Sequence, residues 1–595
     1  MDNLIYEPLK YYTSYAKEAH KKNVSDHFDS LLSASNISVE ENRKWVKEYE
    51  GQLAIIKKIN STITKYRVAL GFLIFLIVVG FVALIVGASL LPDYMTASCI
   101  LIPVGIVAIA LGFVLIFALV RPKIKNQQSL KEKHEKLAED YKSKALGVMA
   151  PLNALFDDVD TFKLIEKTMP QLKFDPYYTT QKENELIEEY DYVDMTDENT
   201  SIIDTLPGTF FKNPFLYERY LEHYMGTYTY TGTLTIRWTS TYRDSNGNLR
   251  TRTHTQVLRA SLTKPKPYYR VNTHLGYGCD CAPNLTFSRT ESDTDELSQR
   301  ALDRRIKRGE KKLRQRAERA IEKGDSFQGL ANSEFDVLFG ATNRDHEVQF
   351  RVMYTPLAQT NTVELLRSKE GYGDDFNFYK QGRYNIITTI HQSNWDMRPL
   401  ACKYQSYSVD IARKSFQEYN ENYFKSVFFD FAPLMAVPAY QAEPVPSMKE
   451  LPSFKNNYNY YEYECLANSI GEGAFAHSDS ATRAILKATF VDNQGDIDRV
   501  LITAKSFKAV QRLDYVSVLG GDGRLHAVPV YWYEYIPIEN QAQMLVKRLG
   551  HTERELREKN YSYPQNSAYL HGLLAYHSPT HQSWNFIENI FKNYN

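Results

Sequence analysis

Two long apolar runs dominate the pattern of hydrophobic and polar positions along the chain. They cover residues 68–91 and 97–120, and neither contains a charged residue. At a rise of about 1.5 Å per residue, each run can cross a hydrocarbon core of about 30 Å as a helix. The pattern predicts a hairpin of two transmembrane helices over residues 67–121, joined by the short polar stretch LPDYMT.

Basic residues flank this hairpin at both ends, whereas the loop between the two runs contains no Lys or Arg. Because such residues stay on the cytoplasmic side of a membrane, both termini are expected in the cytoplasm. The flanking residues are Lys57, Lys58, Lys65 and Arg67 before the first run, and Arg121, Lys123, Lys125, Lys131 and Lys133 after the second.

Small residues recur in both runs with the pattern G-x-x-A-x-x-x-G. Residues of this kind let two helix backbones approach closely. We expect them to pack the hairpin, with Gly80 near Ala108 and Ala83 near Gly105; oligomerisation through the same faces is the alternative. The residues are Gly80, Ala83 and Gly87 in the first run, and Gly105, Ala108 and Gly112 in the second.

The polar segments on either side of the hairpin carry apolar positions at heptad spacing. We predict a cytoplasmic helical segment over residues 1–66 and a stalk helix over 122–150, paired as an antiparallel coiled coil. The seam positions are Val46, Tyr49, Leu53, Ile56 and Ile63 before the hairpin, and Leu130, His134, Leu137, Tyr141 and Val148 after it.

Beyond residue 150 the pattern favours an α+β region that is rich in strands and aromatic residues. Residues 151–436 are interpreted as a first domain, with short helices and loops over 151–225 and a hairpin over 227–263 that turns at Asn246-Gly247. Four prolines predict a linker over 437–454. Residues 455–595 are interpreted as a second β-rich domain, with strands at 484–492, 499–510, 513–518 and 525–538 and a turn at Asp522-Gly523. Helices are expected at 540–558 and 583–594.

The most basic segment, residues 300–323, reads as a helix with a break at Gly309 inside an insertion over 297–324. A solvated helix is the favoured interpretation, and contact with anionic lipid is the alternative. Nucleic acid is a poor fit, because no aromatic residues alternate with the charges. The basic residues assigned to lipid contact are Arg304, Arg305, Lys307, Arg308, Lys311, Lys312, Arg314 and Arg316.

Composition adds little chemistry to this outline. The 71 Lys and Arg balance the 71 Asp and Glu, so no net charge favours nucleic acid or an acidic substrate. The five cysteines form no zinc-binding pattern, and no cofactor is predicted. Two groups of residues are candidates for chemistry: His526 with Asp522 for acid–base catalysis, and His571, His577 and His581 for metal binding.

One segment, residues 334–366, resembles a known family. Its features are Phe335 and Phe339 on one helix, Asp345 before an alternating stretch at 348–352, and Thr355-Pro356 opening a helix that ends in Leu365-Leu366. This pattern is similar to two-pass bacterial membrane proteins that carry domain of unknown function 3137. The resemblance implies the plasma membrane of a bacterium and supplies no catalytic residue. It also suggests a LemA-type membrane protein as a partner, and the basic helix departs from it.

Two functions remain open from the sequence. The first is a binding or scaffold protein, anchored in the lipid bilayer, that meets a protein partner at the cytoplasmic face or forms a homo-oligomer. The second is a membrane-tethered, hydrolase-like enzyme that uses the histidines of the C-terminal domain. No nucleophile motif or phosphate-binding loop supports the enzyme.

Overall fold

The computed structural model describes residues 4–89, 95–194, 196–324, 327–394, 397–444, 458–495, 497–549, 566–570 and 572–578. Half of these described residues are helical and 30% are in strands, which confirms a mixed helix-and-sheet protein. The chain forms two compact units. Unit 1 comprises Met1–Val24, Asp157–Leu400 and Asn420–Asn595, and unit 2 comprises Ser25–Phe156 and Ala401–Tyr419. Residues on both sides of the predicted Pro-rich linker therefore belong to unit 1.

The helices and strands have the following bounds. The helices are α1 (Pro8–Tyr11), α2 (Lys17–Ser35), α3 (Val39–Ser89), α4 (Met95–Val114), α5 (Arg121–Leu155), α6 (Asp160–Thr168), α7 (Thr180–Tyr190), α8 (Gln299–Lys323), α9 (Ser333–Phe339), α10 (Glu347–Met353), α11 (Pro356–Arg367), α12 (Val409–Met435), α13 (Tyr460–Ile470) and α14 (Glu472–Phe475). The strands are β1 (Leu172–Phe174), β2 (Thr200–Phe210), β3 (Asn213–Arg243), β4 (Leu249–Gly278), β5 (Thr286–Arg289), β6 (Phe376–Gln381), β7 (Tyr384–Thr389), β8 (Ile485–Gln494), β9 (Ile497–Leu519), β10 (Leu525–Arg548), β11 (Ser567–Leu570) and β12 (Leu573–Ser578).

Unit 2 contains both apolar runs, and their described residues lie in long helices. The first lies in α3, which is 51 residues long, and the second lies in α4 and the π-helical turn Leu115–Val120 that leads into α5. Only 11% and 17% of the two most apolar windows are buried, so most of their side chains are exposed. Both helices are long and apolar enough to cross a membrane, as the sequence predicts, and a soluble core helix would hide these side chains. The loop with Asp93 and Tyr94 lies outside the described residues.

The small residues of the hairpin lie where α3 and α4 meet. A Cβ atom built on Gly80 would stand 3.1 Å from the carbonyl oxygen of Gly105 and 3.4 Å from the Cβ of Ala108. One built on Gly105 would stand 2.8 Å from the carbonyl oxygen of Gly80. The two backbones thus approach too closely for a larger side chain at either position. Gly71, on the same helix α3, has open space around it.

We expect Gly80→Leu and Gly105→Leu to destabilise the hairpin by about 1–3 kcal/mol, because a large side chain must push the two backbones apart. The yield of folded, detergent-extracted protein and its melting temperature report this loss. Gly71→Leu is the matched control and should behave as wild type. Equal behaviour of all three variants would contradict the close contact.

The stalk departs from the heptad seam that the sequence predicts. Val46 and Ile56 are buried, but Leu53 and Leu137 are 42% and 44% exposed. His134 Nδ1 hydrogen-bonds Gln52 Oε1 at 2.8 Å. A straight α-helix drifts away from a 3.5-residue repeat along its length, so a seam read from heptads loses register with the packed face.

Unit 1 is built on two antiparallel sheets. The larger sheet has the strand order β1-β2-β3-β4-β7-β6-β5, and the smaller has the order β11-β12-β10-β9-β8. Strands β3 and β4 pair over nearly their whole length, from Phe215 opposite Tyr277 to Arg243 opposite Leu249. The predicted hairpin at 227–263 is therefore confirmed and is much longer. The two strands are connected by the loop 244–248, in which Gly247 alone has a positive φ. The predicted tight turn, which needs a positive φ at both Asn246 and Gly247, is therefore wrong.

Several predicted elements are corrected by the fold. Residues 200–222 form β2 and the start of β3 and not helices and loops, because both faces of this stretch are largely buried. The alternating stretch 348–352 lies in helix α10. Phe350 and Met353 are buried there at helical spacing, whereas Val348 and Val352 are exposed. The two strands expected at 499–510 and 513–518 are one strand, β9.

The linker and the C-terminal helix also differ from prediction. Pro438–Gln441 is a 3₁₀ turn, not a linker, and Tyr440 in it donates a hydrogen bond to Asn385 Oδ1 at 2.8 Å inside the core. Residues 540–548 continue strand β10 and do not begin the predicted helix over 540–558. Met544 and Val546 project from this strand and pack in one apolar core with residues of α13. Residues 445–457, 550–565 and 579–595 lie outside the described part of the chain.

Candidate docking surface on a two-layered β arm

The two longest hairpins of unit 1 extend past their neighbouring strands. Over 223–274, strands β3 and β4 pair with each other but no longer with their outer neighbours β2 and β7. Over 506–542, strands β9 and β10 likewise pair without β8 and β12. These two stretches are called the β arm. At about 3.3 Å per residue, the 21 residues of β3 in it extend about 70 Å.

The two hairpins of the β arm pack face to face around a small apolar core. Ile236 and Leu258 of the first hairpin meet Val528 and Val530 of the second, and all four are buried. Gly232 permits the closest approach, since a Cβ at this position would overlap the carbonyl group of Pro529. Each hairpin therefore has one inner face in this core and one outer face in solvent.

Polar contacts tie the two layers together at the edges of the core. Lys264 Nζ forms an ion pair with Asp514 Oδ2 at 3.0 Å and lies 4.2 Å from the ring centre of Trp532. Near the far end, the backbone N–H of Gly521 donates to Gln256 Oε1 at 2.7 Å. These contacts fix the relative register of the two hairpins.

Over 511–519 and 525–533, the outer face of the second hairpin is free of charge and strongly apolar. Its ten positions, called the uncharged face, form five cross-strand pairs: Gln511–Tyr533, Leu513–Tyr531, Tyr515–Pro529, Ser517–Ala527 and Leu519–Leu525. Tyr515, Tyr531, Leu519 and Leu525 are 58–72% exposed. Monomeric soluble proteins seldom expose a contiguous apolar patch above a few hundred Å².

The outer face of the first hairpin is different in chemistry. Thr231, Thr233, Thr235 and Thr239 alternate along β3 and are exposed, and Arg237 stands among them. Hydroxyl groups and charge keep this face hydrated. The contrast indicates that exposure alone does not explain the apolar composition of the uncharged face.

The structure places His526 and Asp522 at the turn that closes the second hairpin. His526 Nε2 lies 3.0 Å from both carboxylate oxygens of Asp522, and Asp522 Oδ1 also accepts from the backbone N–H of Arg524 at 3.1 Å. The hydrogen bond from His526 lowers the pKa of Asp522. Both side chains therefore stabilise the turn. The sequence predicts the same pair as a candidate for acid–base catalysis, whereas the contacts in the structure are structural.

Of the three C-terminal histidines, only His577 lies in the described residues. It is buried in strand β12, with its ring 4.6 Å from that of Phe475 in an edge arrangement, and burial lowers its pKa. His571 and His581 lie outside the described residues. Among the residues that the structure describes, no group of three or more His, Cys, Asp or Glu could hold a metal ion.

The basic helix α8 continues through Gly309, so the predicted break is wrong. Gly309 lies against Val337 of α9, and its missing side chain leaves room for that helix. Glu310 Oε1 accepts from Ser333 Oγ at 2.6 Å, which adds a second contact between the helices. One side of α8 is thus docked on the domain. Among its basic residues, Arg305 pairs with Asp293 at 2.7 Å, and the Arg316 guanidinium lies 4.9 Å from the ring centre of Phe327.

The side chain of His391 is buried, and no sequence motif identifies this residue as part of a site. Its partners come from distant positions in the chain. Its Nδ1 lies 2.6 Å from Asp375 Oδ2, its Nε2 lies 3.0 Å from Asp430 Oδ1, and its ring stacks on Tyr372. Burial alone would lower the pKa of His391, but attraction to Asp430 and the hydrogen bond to Asp375 raise it to about 10. With both nitrogens engaged, the imidazolium has no free position for acid–base catalysis near neutral pH.

The arrangement of Asp375, Asp430 and Tyr372 around His391, called the cage, predicts that the stability of the protein depends on pH. Because the folded pKa of His391 is raised above its ordinary value of about 6.5, its contribution is complete below pH ~6.5, declines above it, and is lost once the pH passes about 10. The slope is at most about 1.4 kcal/mol per pH unit for one proton. We expect urea unfolding of His391→Gln to show a flatter decline over this window than wild type. His254→Gln is the control, since the partly exposed His254 hydrogen-bonds a neutral hydroxyl, Ser240 Oγ, at 2.7 Å. Parallel curves for His391→Gln and wild type would contradict the effect of the two carboxylates.

The chain was compared with protein-family models, curated proteins and solved structures, and none of them matches it. The resemblance of residues 334–366 to a bacterial membrane family therefore stays a prediction. The class that the fold defines is a mixed helix-and-sheet protein with two helices able to span a membrane.

Proposed function

We propose that this protein is a membrane-anchored scaffold that assembles with a second copy of itself through the uncharged face of the β arm. The observation that carries the proposal is that face: five cross-strand pairs without a charge, exposed to solvent in a chain that is otherwise 24% charged. Water disfavours such a surface, and a protein partner removes it from water.

A second copy is the occupant that the area and the charge favour. Aromatic side chains offer about 150–250 Å² each, so three half-exposed tyrosines with three leucines of similar exposure present on the order of 600 Å². Standard interfaces bury about 800 Å² per partner, which rim contacts can complete. Two copies of an uncharged face meet without like-charge repulsion, and apolar sheet faces of this kind stack about 10 Å apart.

Membrane anchoring supports the same proposal. The apolar helices α3 and α4 confine copies to two dimensions, which raises their effective concentration and lets a modest interface suffice. We place the protein in a bacterial plasma membrane with both termini in the cytoplasm, on the basis of the basic flanks of the hairpin and the family resemblance. A LemA-type partner remains a separate prediction, and none of the described sites favours a hydrolase.

The assembly test uses the full chain in neutral detergent. Wild type should sediment as a dimer that dissociates on dilution, and the double variant Tyr515→Lys with Tyr531→Lys should sediment as a monomer, because it brings like charges together in an apolar contact. Both tyrosines are more than half exposed, so the fold should tolerate the changes.

Thr235→Lys is the control for added charge, since it lies on the other outer face of the β arm. It should dimerise as wild type does. A wild-type protein that stays monomeric at all concentrations, or a double variant that still dimerises, would exclude the second copy as the occupant.

The orientation is tested by labelling in intact cells. In a background with Cys99→Ser and Cys402→Ser, which removes the two exposed thiols among the described residues, Asp93→Cys should react with a membrane-impermeant maleimide, because the loop faces outward. Thr235→Cys in the same background should react only after the cells are opened. The reverse pattern would contradict the cytoplasmic placement.

A further inference from the structure

We infer that the open edge of strand β3 in the β arm binds an acidic, extended segment of another protein, which adds to the sheet as a further strand. The stretch concerned, residues 225–243, is called the β3 edge. It lies beyond the point where pairing with β2 stops, at Thr200 opposite Glu222. An added strand would therefore continue the place that β2 holds beside β3. The inference is independent of the uncharged face and of the proposed assembly.

The hydrogen-bond pattern decides which residues of the β3 edge could bond an added strand. The backbone N–H of Asp244 donates to the carbonyl oxygen of Asn248 at 2.9 Å, and residues alternate between bonding the partner strand and pointing away from it. Even-numbered residues of β3 thus bond β4. The N–H of His223 instead donates away from β4, to the carbonyl oxygen of Asn199 at 2.8 Å. The odd-numbered residues over 225–243 therefore direct their N–H and C=O groups outward.

These outward groups have no strand beside them in the described part of the chain. The contact that the described residues do supply is the Tyr268 hydroxyl, which donates to the carbonyl oxygen of Thr227 at 3.2 Å. Strands β3 and β4 keep one register over the whole span without a bulge, so the outward groups form one regular row. A row of this kind is a template for a further strand.

The β3 edge also lacks the features by which sheet edges usually repel a further strand. Residues 224–243 contain no proline and no lysine, and most of the outward positions are threonine, which favours strand pairing. Proline blocks pairing because it has no N–H. The edges of the other strands are interrupted by Pro265 and Pro267 in β4 and by Pro529 and Pro537 in β10, and charges at Lys508, Arg512 and Asp514 flank that of β9.

The charge of the first hairpin selects an acidic occupant. Residues 223–274 contain eight Lys and Arg but a single carboxylate, Asp244, which pairs with Arg250 at 3.0 Å. Arg237 and Arg243 stand on β3 itself, and neither forms an ion pair with a described residue. A second copy would bring a hairpin of like charge to this edge, so the charge favours an acidic segment of another protein.

The two free arginines define the spacing of the acidic groups. Arg237 and Arg243 are six positions apart, so their side chains leave the same face of β3, about 20 Å apart along the strand. Carboxylates six positions apart on an added strand would lie opposite both. An anionic membrane surface could pair with the arginines, but it would leave the backbone groups between them unused. The open backbone row therefore favours a peptide.

The test is fluorescence anisotropy of a labelled peptide titrated with the full chain in neutral detergent. The peptide is Glu-Val-Thr-Val-Thr-Val-Glu, amidated and labelled with fluorescein through a glycine spacer. It should bind about 2- to 30-fold more tightly than the same peptide with Gln at both ends, the range expected for two cross-strand ion pairs. The variant that combines Arg237→Gln with Arg243→Gln should lose this preference.

Thr239→Pro closes the β3 edge between the two arginines. Thr239 faces Thr253 of β4 in a pair that exchanges no backbone hydrogen bonds, so proline removes an outward N–H and leaves the pairing of β3 with β4 intact. Binding of the peptide should fall by at least about 10-fold. Thr253→Pro is the matched control, since its N–H points to the opposite edge of the same hairpin, and it should bind within about 2-fold of wild type. Both variants should melt as wild type does.

The inference would be overturned if the peptide does not bind, if the Gln peptide binds wild type as tightly, or if Thr253→Pro weakens binding as much as Thr239→Pro. Loss of the detergent-solubilised dimer in Thr239→Pro alone would assign the edge to a second copy. Phosphatidylglycerol nanodiscs that displace the peptide and bind Thr239→Pro as well as wild type would assign the arginines to lipid. Either of these two results would also overturn the inference.

Discussion

Replacing Arg344 with Ala should destabilise unit 1 by about 3–5 kcal/mol, because it removes the buried cation that neutralises two buried carboxylates. The Arg344 side chain is fully buried and donates to Asp336 Oδ1 at 2.6 Å and to Glu347 Oε1 at 2.8 Å. It also donates to the carbonyl oxygen of Gln328 at 2.8 Å, so the substitution removes a hydrogen bond to the backbone as well. Urea unfolding of the detergent-solubilised protein measures the change.

The matched control is Arg351→Ala in the neighbouring helix α10. Arg351 approaches the same carboxylate, Glu347, at 3.6 Å, but its side chain is 42% exposed. Exposed ion pairs contribute about 0–1 kcal/mol, so this variant should stay close to wild type. Similar losses from both variants would mean that the buried network is not what holds this segment together.

Gly232→Val should separate the two layers of the β arm. Any Cβ at this position overlaps the carbonyl group of Pro529, and backbone atoms in a paired strand cannot yield as a flexible side chain can. The variant should lose about 1–3 kcal/mol by overpacking and more if the core around Ile236 and Val530 opens. Hydrogen–deuterium exchange of peptides from 223–274 and 506–542 should rise by at least about 10-fold, which corresponds to about 1.4 kcal/mol.

Thr233→Val is the control for this prediction, since Thr233 lies next to Gly232 but faces solvent on the outer face. It should leave exchange in the β arm unchanged. Unchanged exchange in Gly232→Val would contradict the face-to-face packing of the two hairpins.

The membrane hairpin could be predicted from the sequence because its signal is local. An uninterrupted apolar run of this length is rare outside transmembrane helices, and the spacing of Gly80, Gly105 and Ala108 is enough to identify the contact face. The hairpin at 227–263 was equally accessible, since alternation and a glycine turn are local patterns. Its true length was not, because the segment 200–221 is largely buried on both faces and loses the alternation that marks a strand.

The sites could not be predicted because their residues meet only in the folded chain. The buried Arg344 network, for example, joins Asp336 of α9, Glu347 of α10 and the carbonyl oxygen of Gln328. The cage of His391 likewise draws on Asp375 and Asp430. The uncharged face was present in the alternation of β9 and β10, but the strand pattern does not say which of the two faces is covered. The packing of Gly232 on Pro529 decides that.

Cross-linking in native membranes tests most directly whether the uncharged face binds a second copy. Ser517→Cys places a thiol on this face, in a background where the half-buried Cys281 and the exposed Cys99 and Cys402 are replaced by Ser. Sheets packed face to face lie about 10 Å apart, within reach of a short bismaleimide. We predict efficient cross-linked dimers for Ser517→Cys, their loss when Tyr515→Lys and Tyr531→Lys are added, and none for Thr235→Cys on the other outer face. Cross-linking of Thr235→Cys as efficient as that of Ser517→Cys, or none from Ser517→Cys, would contradict assembly through the uncharged face.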